Sequence, residues 1–439
     1  MNRITRFFIL VTVAAMLLSG CGMSTIDQMY RVPERSKEYE ELQTAINAAM
    51  SGREFSSPRS GENQQTVQMA DLTGDGLAEY MVFTKGTSEH PLEVLIFTRN
   101  GDDYTLLDTV ESYGSSFDQV EYVHMDEMPG YELVVGSQLT DEVIGSVAVY
   151  SFVDGQVCQL MTANYTEFVP YDLDRNGQSE LLILRPGSTE SGQGVAEYFT
   201  YVDGMMERSV EVSMSQSVAH LKRVIQGTLI DGTPALYVAS AMDENSIITD
   251  VFAIVDGTFT NVTFSNESGT SVQTLRNYFV YAEDIDKDGV IELPDLIAMR
   301  TAGDTTWTME RQHLIRWYSM AADGSEVDKL YTYHDFGGGW YLVLDGNYRN
   351  RVYVIQNGAV SDFYLWDNFG NSSQKIMSIF TLTGQNREEQ AAGKVILYQG
   401  DTVIYAAELT VSGEVYPEAA EKLTQQFHLI HRDWKTGET

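Results

Sequence analysis

The chain contains the acidic stretch Asp284-Ile285-Asp286-Lys287-Asp288-Gly289-Val290-Ile291-Glu292, which leads directly into an apolar run. The same pattern occurs at residues 71–79 (DLTGDGLAE) and 172–180 (DLDRNGQSE). Each copy has oxygen-bearing side chains at positions 1, 3, 5 and 9 and a glycine at position 6. Glycine permits the positive φ that folds such a turn back, so the oxygen atoms can converge. Converging oxygen atoms suit a hard cation, Ca²⁺ before Mg²⁺, and the repeat therefore predicts metal-binding loops.

Short apolar runs with Gly, Asp and Asn turns between them follow from about residue 66 onward. Residues 92–97, for example, precede Asn100-Gly101, and residues 195–199 precede Asp203-Gly204. A strand, an Asn-Gly or Asp-Gly turn and a second strand together indicate a β-hairpin. The chain is therefore predicted to be all-β.

The hairpins and the acidic loops form one longer repeat. The strand after each loop position begins near Glu79, Glu132, Glu180, Ala235 and Glu292. A period of roughly 50 residues with four strands per unit is typical of β-propeller blades. Residues 66–335 are therefore predicted to form about five four-stranded blades. The second and fourth units lack most of the acidic residues of the pattern. At most three loops are therefore expected to hold metal, and the first of these should bind it more weakly because position 3 is Thr73.

The two ends of the chain differ from this repeat. Residues 33–50 have the apolar spacing of a helix, and residues 417–431 predict a terminal helix with Leu423, Phe427 and Ile430 on one face. Residues 336–439 contain strand-like runs without an acidic loop. We expect this segment to be a small α+β segment beside the ring. Further blades, to a total of seven, are the alternative.

In the first twenty residues, basic residues are followed by an apolar run, as in a bacterial export signal. Arg3 and Arg6 precede an apolar run at 7–18, which is too short to span a bilayer. Residues 18–21 (LSGC) resemble a lipobox, and this resemblance implies cleavage before Cys21 and lipidation of its thiol, with diacylglycerol and palmitate as the attached groups. Residues 21–65 would then hold the lipid anchor, a tether and the helix. The alternative is an ordinary signal peptide with a coincidental cysteine.

The charge balance argues against nucleic acid and anionic lipid as binding partners. The chain has 63 acidic and 28 basic residues, for a formal net charge of −35. Such a surface argues against nucleic-acid binding and against direct adhesion to anionic lipid, so membrane contact is expected through the lipid anchor only. Beyond Cys21 the chain contains one further cysteine, Cys158, in a strand-like run, which we expect to be a buried thiol.

The acidic pattern resembles the FG-GAP and VCBS-type repeats of integrin-α-like β-propellers. The Phe-Gly and Gly-Ala-Pro signatures are not evident, so the resemblance is to the looser VCBS-like branch. The resemblance implies calcium held by side chains at positions 1, 3, 5 and 9. The implied ligands are Asp71, Thr73, Asp75, Glu79, Asp172, Asp174, Asn176, Glu180, Asp284, Asp286, Asp288 and Glu292.

Two other interpretations of the acidic loops stay open at this point. Residues 284–295 also fit an EF-hand loop, although Pro294 lies where the exiting helix would begin and residues 278–281 have the pattern of a strand. The loops could also be Asp- and Gly-rich turns without metal.

The sequence has no recognisable catalytic motif, including G-x-S-x-G, H-E-x-x-H and the Walker A loop. We therefore expect a lipoprotein at the extracytoplasmic face of the cell membrane, with a calcium-stabilised propeller that binds or scaffolds an unidentified protein or glycan. One alternative is an extracellular carbohydrate-active hydrolase or lyase with its site in the propeller funnel. Another is an envelope assembly factor.

Overall fold

The computed structural model describes residues 37–86, 92–139, 144–153, 155–188, 192–299, 313–344, 348–349, 351–367, 372–410, 419–431 and 434. The predicted export signal, Cys21 and the predicted tether lie outside the described residues. Within the described part, no helix is both long enough and apolar enough to cross a membrane.

The first three sheets are built from consecutive antiparallel strands. In the first sheet, β1 and β2 both pair with β3. The strands of the first sheet are β1 (Glu54–Phe55), β2 (Val67–Ala70), β3 (Glu79–Lys85), β4 (Leu92–Asn100) and β5 (Asp103–Ser112). Those of the second are β6 (Ser116–Val123), β7 (Glu132–Gln138), β8 (Gly145–Val153) and β9 (Gln156–Tyr165). Those of the third are β10 (Glu167–Tyr171), β11 (Glu180–Pro186), β12 (Gly194–Val202) and β13 (Met205–Ser213).

Three further sheets follow. The fourth contains β14 (Leu221–Thr228), β15 (Pro234–Ala241), β16 (Ile247–Val255) and β17 (Thr258–Asn261). The fifth contains β18 (Leu293–Ala298), β19 (His313–Met320), β20 (Glu326–Asp335), β21 (Trp340–Leu344) and β27 (Phe427–Leu429). The sixth contains β22 (Val352–Asn357), β23 (Val360–Trp366), β24 (Ser373–Thr383), β25 (Val395–Gln399) and β26 (Val403–Leu409). Its strand order is β22-β23-β24-β26-β25. The all-β prediction is confirmed.

Successive sheets pack face to face in chain order. Separate hydrophobic clusters join the first sheet to the second, the second to the third, and so on to the sixth. At the first of these contacts the rings of Phe83 and Phe117 lie edge to face, with centroids 5.1 Å apart. At the last, Tyr333 and Phe363 meet in the same way at 5.2 Å. Each sheet is therefore stabilised by its neighbours, since its strands are apolar on both faces.

Helices cover the two outer faces of this series. Helix α1 (Lys37–Ala49) buries Leu42 and Ile46 against Val82 and Phe97 of the first sheet. The short helix α2 (Arg387–Ala391) packs on the sixth sheet through Ala391. Among the described residues, no hydrophobic cluster joins the first sheet to the sixth.

The C-terminal part was expected to be an α+β segment or further blades. Residues beyond 335 complete the fifth sheet and form a sixth, and two short helices lie among these strands. The described part of the chain thus contains six sheets. Helix α3 (Ala419–Gln426) ends earlier than predicted, because Phe427–Leu429 pairs with β21 as β27. Leu423, Phe427 and Ile430 are all buried, as their spacing suggests. They lie in a helix, a strand and a loop, respectively, and not on one helix face.

Cys158 is also placed differently from the prediction. It lies in β9, the edge strand of the second sheet, and its side chain is exposed. A register shift in the pairing of β8 with β9 changes the alternation of side chains, so that Leu160 and Met161 are both buried instead.

Candidate metal centre

The three acidic loops have the same backbone conformation. Glycine at position 6 has a positive φ in each loop, as predicted. Position 4 also has a positive φ, although two of the three loops carry a non-glycine residue there. These residues are Gly74 (φ 72), Gly76 (85), Arg175 (63), Gly177 (90), Lys287 (62) and Gly289 (88). A positive φ at arginine and lysine is a strained conformation, and it occurs at the same position in two independent loops.

The side chains at positions 1 and 5 accept hydrogen bonds from the backbone of their own loop. The aspartate at position 1 accepts a hydrogen bond from the backbone N–H of the glycine at position 6. The distances are 2.9 Å from Gly76 to Asp71, 3.1 Å from Gly177 to Asp172 and 3.0 Å from Gly289 to Asp284. The side chain at position 5 accepts from the N–H at position 7 at 2.7–3.0 Å. These side-chain turns direct several oxygen atoms toward the inside of the loop.

The glutamate at position 9 closes the loop from the adjoining strand. Glu79, Glu180 and Glu292 are all buried. Glu180 Oε2 accepts a hydrogen bond from the N–H of Leu173, at position 2, over 2.8 Å, and the other two glutamates make the same contact. Each strand is therefore joined to the loop before it through a buried carboxylate.

Burial changes the acidity of these glutamates. It raises the pKa of Glu180 and of Glu292 to about 7, and it also raises the pKa of Glu79. The aspartates of the same loops contribute by repulsion. A carboxylate in this position is stabilised in its charged form by a nearby cation.

Two of the three loops form groups that could hold a metal ion. One carboxylate oxygen from each of Asp172, Asp174 and Glu180 lies within 4.8 Å of the other two, and the same holds for Asp284, Asp286 and Glu292. The carboxylates of the first loop do not form such a group among the described residues. Its position 3 is Thr73, whose hydroxyl instead donates a hydrogen bond to Glu79 at 3.4 Å.

The second and third loops differ in what surrounds their acids. In the second, Oδ1 of Asp172 is buried and has no hydrogen-bond partner. In the third, Nζ of Lys329 contacts Asp288 Oδ2 and lies 3.8 Å from Asp286 Oδ2. The sequence did not reveal this lysine, since it belongs to β20 and is distant along the chain.

The loops also connect successive sheets. The N–H of Tyr131 donates to the carbonyl of Asp71 at 2.9 Å, which joins the second unit to the first. The side chain of Gln178 donates to the carbonyl of Asp126 at 2.6 Å, between the third and second units. Thr228 donates to the carbonyl of Gly289 at 2.9 Å, between the fourth and fifth. A cation that stabilises one loop would therefore also stabilise the contact with the neighbouring sheet.

The degenerate loop of the second unit keeps only the structural part of the pattern. Glu132 accepts from the N–H of Met125 at 2.5 Å, as the other position-9 glutamates do. Asp126 is buried and shares the hydroxyl of Ser151 with Glu132. The EF-hand interpretation of the third loop is wrong, since β18 follows that loop where an EF-hand would have a helix.

A cavity of about 650 Å³ lies where the first strands of the second, third and fourth sheets face one another. Glu121 of β6, Glu167 of β10 and Arg223 of β14 contribute to its wall, together with Glu62. Burial, with repulsion from Asp118, raises the pKa of Glu167 to about 7. Acidic side chains from two sheets therefore face one shared space between the first strands of three sheets.

Comparison with known proteins adds little to this description. No protein-family model and no curated protein sequence matches the chain. Among solved structures, the chain is similar to a crystal structure of a protein from Lactobacillus plantarum, with a TM-score of 0.24 and 10% sequence identity. The similarity covers 74% of this chain and 94% of that one.

Proposed function

We propose that the protein is a surface-anchored lipoprotein whose six sheets are the blades of a calcium-stabilised β-propeller, and that it acts as a binding or scaffolding module. The packing of consecutive sheets and the cavity between the first strands of three of them support the propeller, in which helices α1 and α2 cover the two terminal blades. Lipidation of Cys21 would hold the chain at the extracytoplasmic face of the cell membrane. The proposed ligand is a protein or a glycan.

Calcium fits the second loop best. Asp172, Asp174, Asn176 and Glu180 supply only oxygen ligands, which suit Ca²⁺. The buried Oδ1 of Asp172 has no donor to satisfy it, and a cation would do so. Sites of this kind with a Kd of ~10⁻⁴–10⁻³ M would fill at extracellular calcium concentrations. The role of the ion is structural, because the loop joins a strand to the preceding unit.

The observation that carries the binding role is a set of exposed apolar side chains in and next to the first two loops, which adjoin. Met69 is 65% exposed, Leu77 52%, Met128 42% and Tyr131 38%. The two loops adjoin, since a Cβ on Gly74 would lie 2.6 Å from Pro129. We call these four side chains the loop-face patch. Grouped apolar side chains on a surface are typical of interaction sites.

The test compares the wild-type chain with two variants in binding to isolated cell-envelope protein and to a glycan array, with calcium and with EDTA. Leu77→Ser combined with Met128→Ser removes part of the loop-face patch, and Leu106→Ser, an exposed leucine of β5, is the matched control. We expect binding that calcium supports and that only the patch variant loses. Binding that is equal in all variants would contradict the proposal. Labelling with palmitate in the wild type but not in Cys21→Ser tests the anchor.

An extracellular hydrolase is the second candidate, and the cavity between β6, β10 and β14 favours it. A glutamate with a pKa near 7 can serve as a general acid, and a second carboxylate, Glu121, lines the same space. The test is release of reducing sugar from a panel of polysaccharides. Activity that Glu167→Gln abolishes while Glu244→Gln preserves it would support an enzyme.

A further inference from the structure

The third acidic loop already contains a positive charge. Lys329, in β20, extends from the neighbouring part of the fifth sheet to the carboxylates of Asp286 and Asp288. Its side chain is 18% exposed, so most of it is held against the protein.

The second loop has no such group. Among the described residues, no ion pair joins a basic side chain to Asp172, Asp174 or Glu180, and the guanidinium of Arg175, at position 4, lies beside Gly232 of the fourth unit instead. Position 5 of this loop is Asn176, a neutral amide whose Nδ2 donates to Asp174 at 3.1 Å. The acids of the second loop are thus left to a cation from solution, whereas those at positions 3 and 5 of the third loop contact an ammonium group.

An ammonium group and a calcium ion compete for the same carboxylates. The two are like charges, and their repulsion at a separation of a few ångströms is substantial near a protein surface. Calcium could enter the third loop fully only if Lys329 moved away from Asp286 and Asp288. The lysine would then lose its contacts, and the affinity of the loop for calcium would fall accordingly.

We propose that Lys329 is a built-in counter-ion that replaces calcium in the third loop, so that the second loop is the principal calcium site of this chain. The inference rests on the proposed function, because it assumes that loops of this type bind calcium. Although the two loops have similar sequences, the second would then respond to calcium, and the third would be stabilised by Lys329 without calcium.

The experiment is equilibrium dialysis of the full-length chain in detergent against radioactive calcium, which counts bound ions per chain. We expect about one ion per wild-type chain at concentrations that saturate the second loop. Lys329→Met, which keeps the aliphatic stem, should bind one more ion than the wild type, with at least a tenfold gain in affinity at the third loop. Lys329→Arg keeps the charge and should bind like the wild type.

Two further variants separate the inference from the proposed function. Asp172→Asn should remove the wild-type ion, and if it binds calcium like the wild type, the calcium site of the proposed function is wrong. Asp286→Asn should leave wild-type binding unchanged but remove the ion gained by Lys329→Met. The inference is overturned if Lys329→Met gains no ion, or if Asp286→Asn lowers binding in the wild-type background. Circular dichroism of each variant shows that it is folded.

Discussion

Glu180, the first residue of β11, accepts a hydrogen bond from the backbone N–H of Leu173 at 2.8 Å. The strand thus holds the loop that precedes it, and the carboxylate that does so also belongs to the acidic group of that loop. Glu132 makes the same bond to Met125 in a loop that has no acid at position 1 or 5. One glutamate position therefore has a structural role in both loops and a proposed metal-binding role in one.

These two roles can be separated by Glu180→Gln. The amide keeps an acceptor for Leu173 but loses the charge that calcium needs. For the wild type, 100-fold excess of calcium over Kd should add about 2.7 kcal/mol to the free energy of unfolding and raise Tm by a few degrees. We expect Glu180→Gln to lose most of this rise in calorimetry with EDTA and with calcium. Glu132→Gln, the matched control, should keep it, and equal responses of the two variants would contradict the assignment.

The contact between the first two loops should tolerate no added side chain. A Cβ on Gly130 would lie 2.1 Å from the carbonyl oxygen of Leu72, so Gly130→Ala must push the two loops apart. We expect it to lower the free energy of unfolding by about 3 kcal/mol. Gly177→Ala is the control, because its Cβ would meet no atom within 4 Å and only the positive φ opposes it. The control should lower the free energy of unfolding by about 1 kcal/mol. Urea unfolding measures both variants. If Gly130→Ala is no less stable than Gly177→Ala, the contact between the two loops is not as described.

Asp250 is the centre of a buried polar network between the third and fourth sheets. Its carboxylate accepts hydrogen bonds from the hydroxyls of Ser215 and Ser271, from Asn261 Nδ2 and from the N–H of Ser215. Asp250→Ala leaves these donors buried without an acceptor, which should cost about 3 kcal/mol or more. Urea unfolding measures the loss. Asp243→Ala, at an exposed aspartate, should change stability by less than about 0.5 kcal/mol.

Glu167 should make the stability of the protein depend on pH. Its pKa is about 7 in the folded protein and has an ordinary value of 4.5. Between these values the folded state holds a proton that the unfolded state has released, so the free energy of unfolding falls as pH rises from 4.5 to 7. Relative to Glu167→Gln, we expect the wild type to lose about 2 kcal/mol across this range in EDTA. A difference that stays constant with pH would exclude the effect.

The sequence predicted the local parts of this structure well. The Asp-Gly turns, the strands after each acidic loop and the positive φ at Gly76, Gly177 and Gly289 all follow from neighbouring residues, whose spacing encodes them directly. The positive φ of Arg175 and Lys287 could not be predicted from neighbouring residues. Nothing in their residue type favours it, and it follows instead from the hydrogen bonds that close the loop.

What the sequence alone determined is the all-β repeat and the set of acids in each loop, because a strand and its turn depend on residues close together in the chain. The tertiary structure decided the rest. It brought Phe427–Leu429 to the fifth sheet and built a sixth sheet after residue 344. It also placed Lys329 on Asp288 in one loop and left Oδ1 of Asp172 without a hydrogen-bond partner in the other. These outcomes depend on packing between segments far apart in the chain, which local patterns do not record.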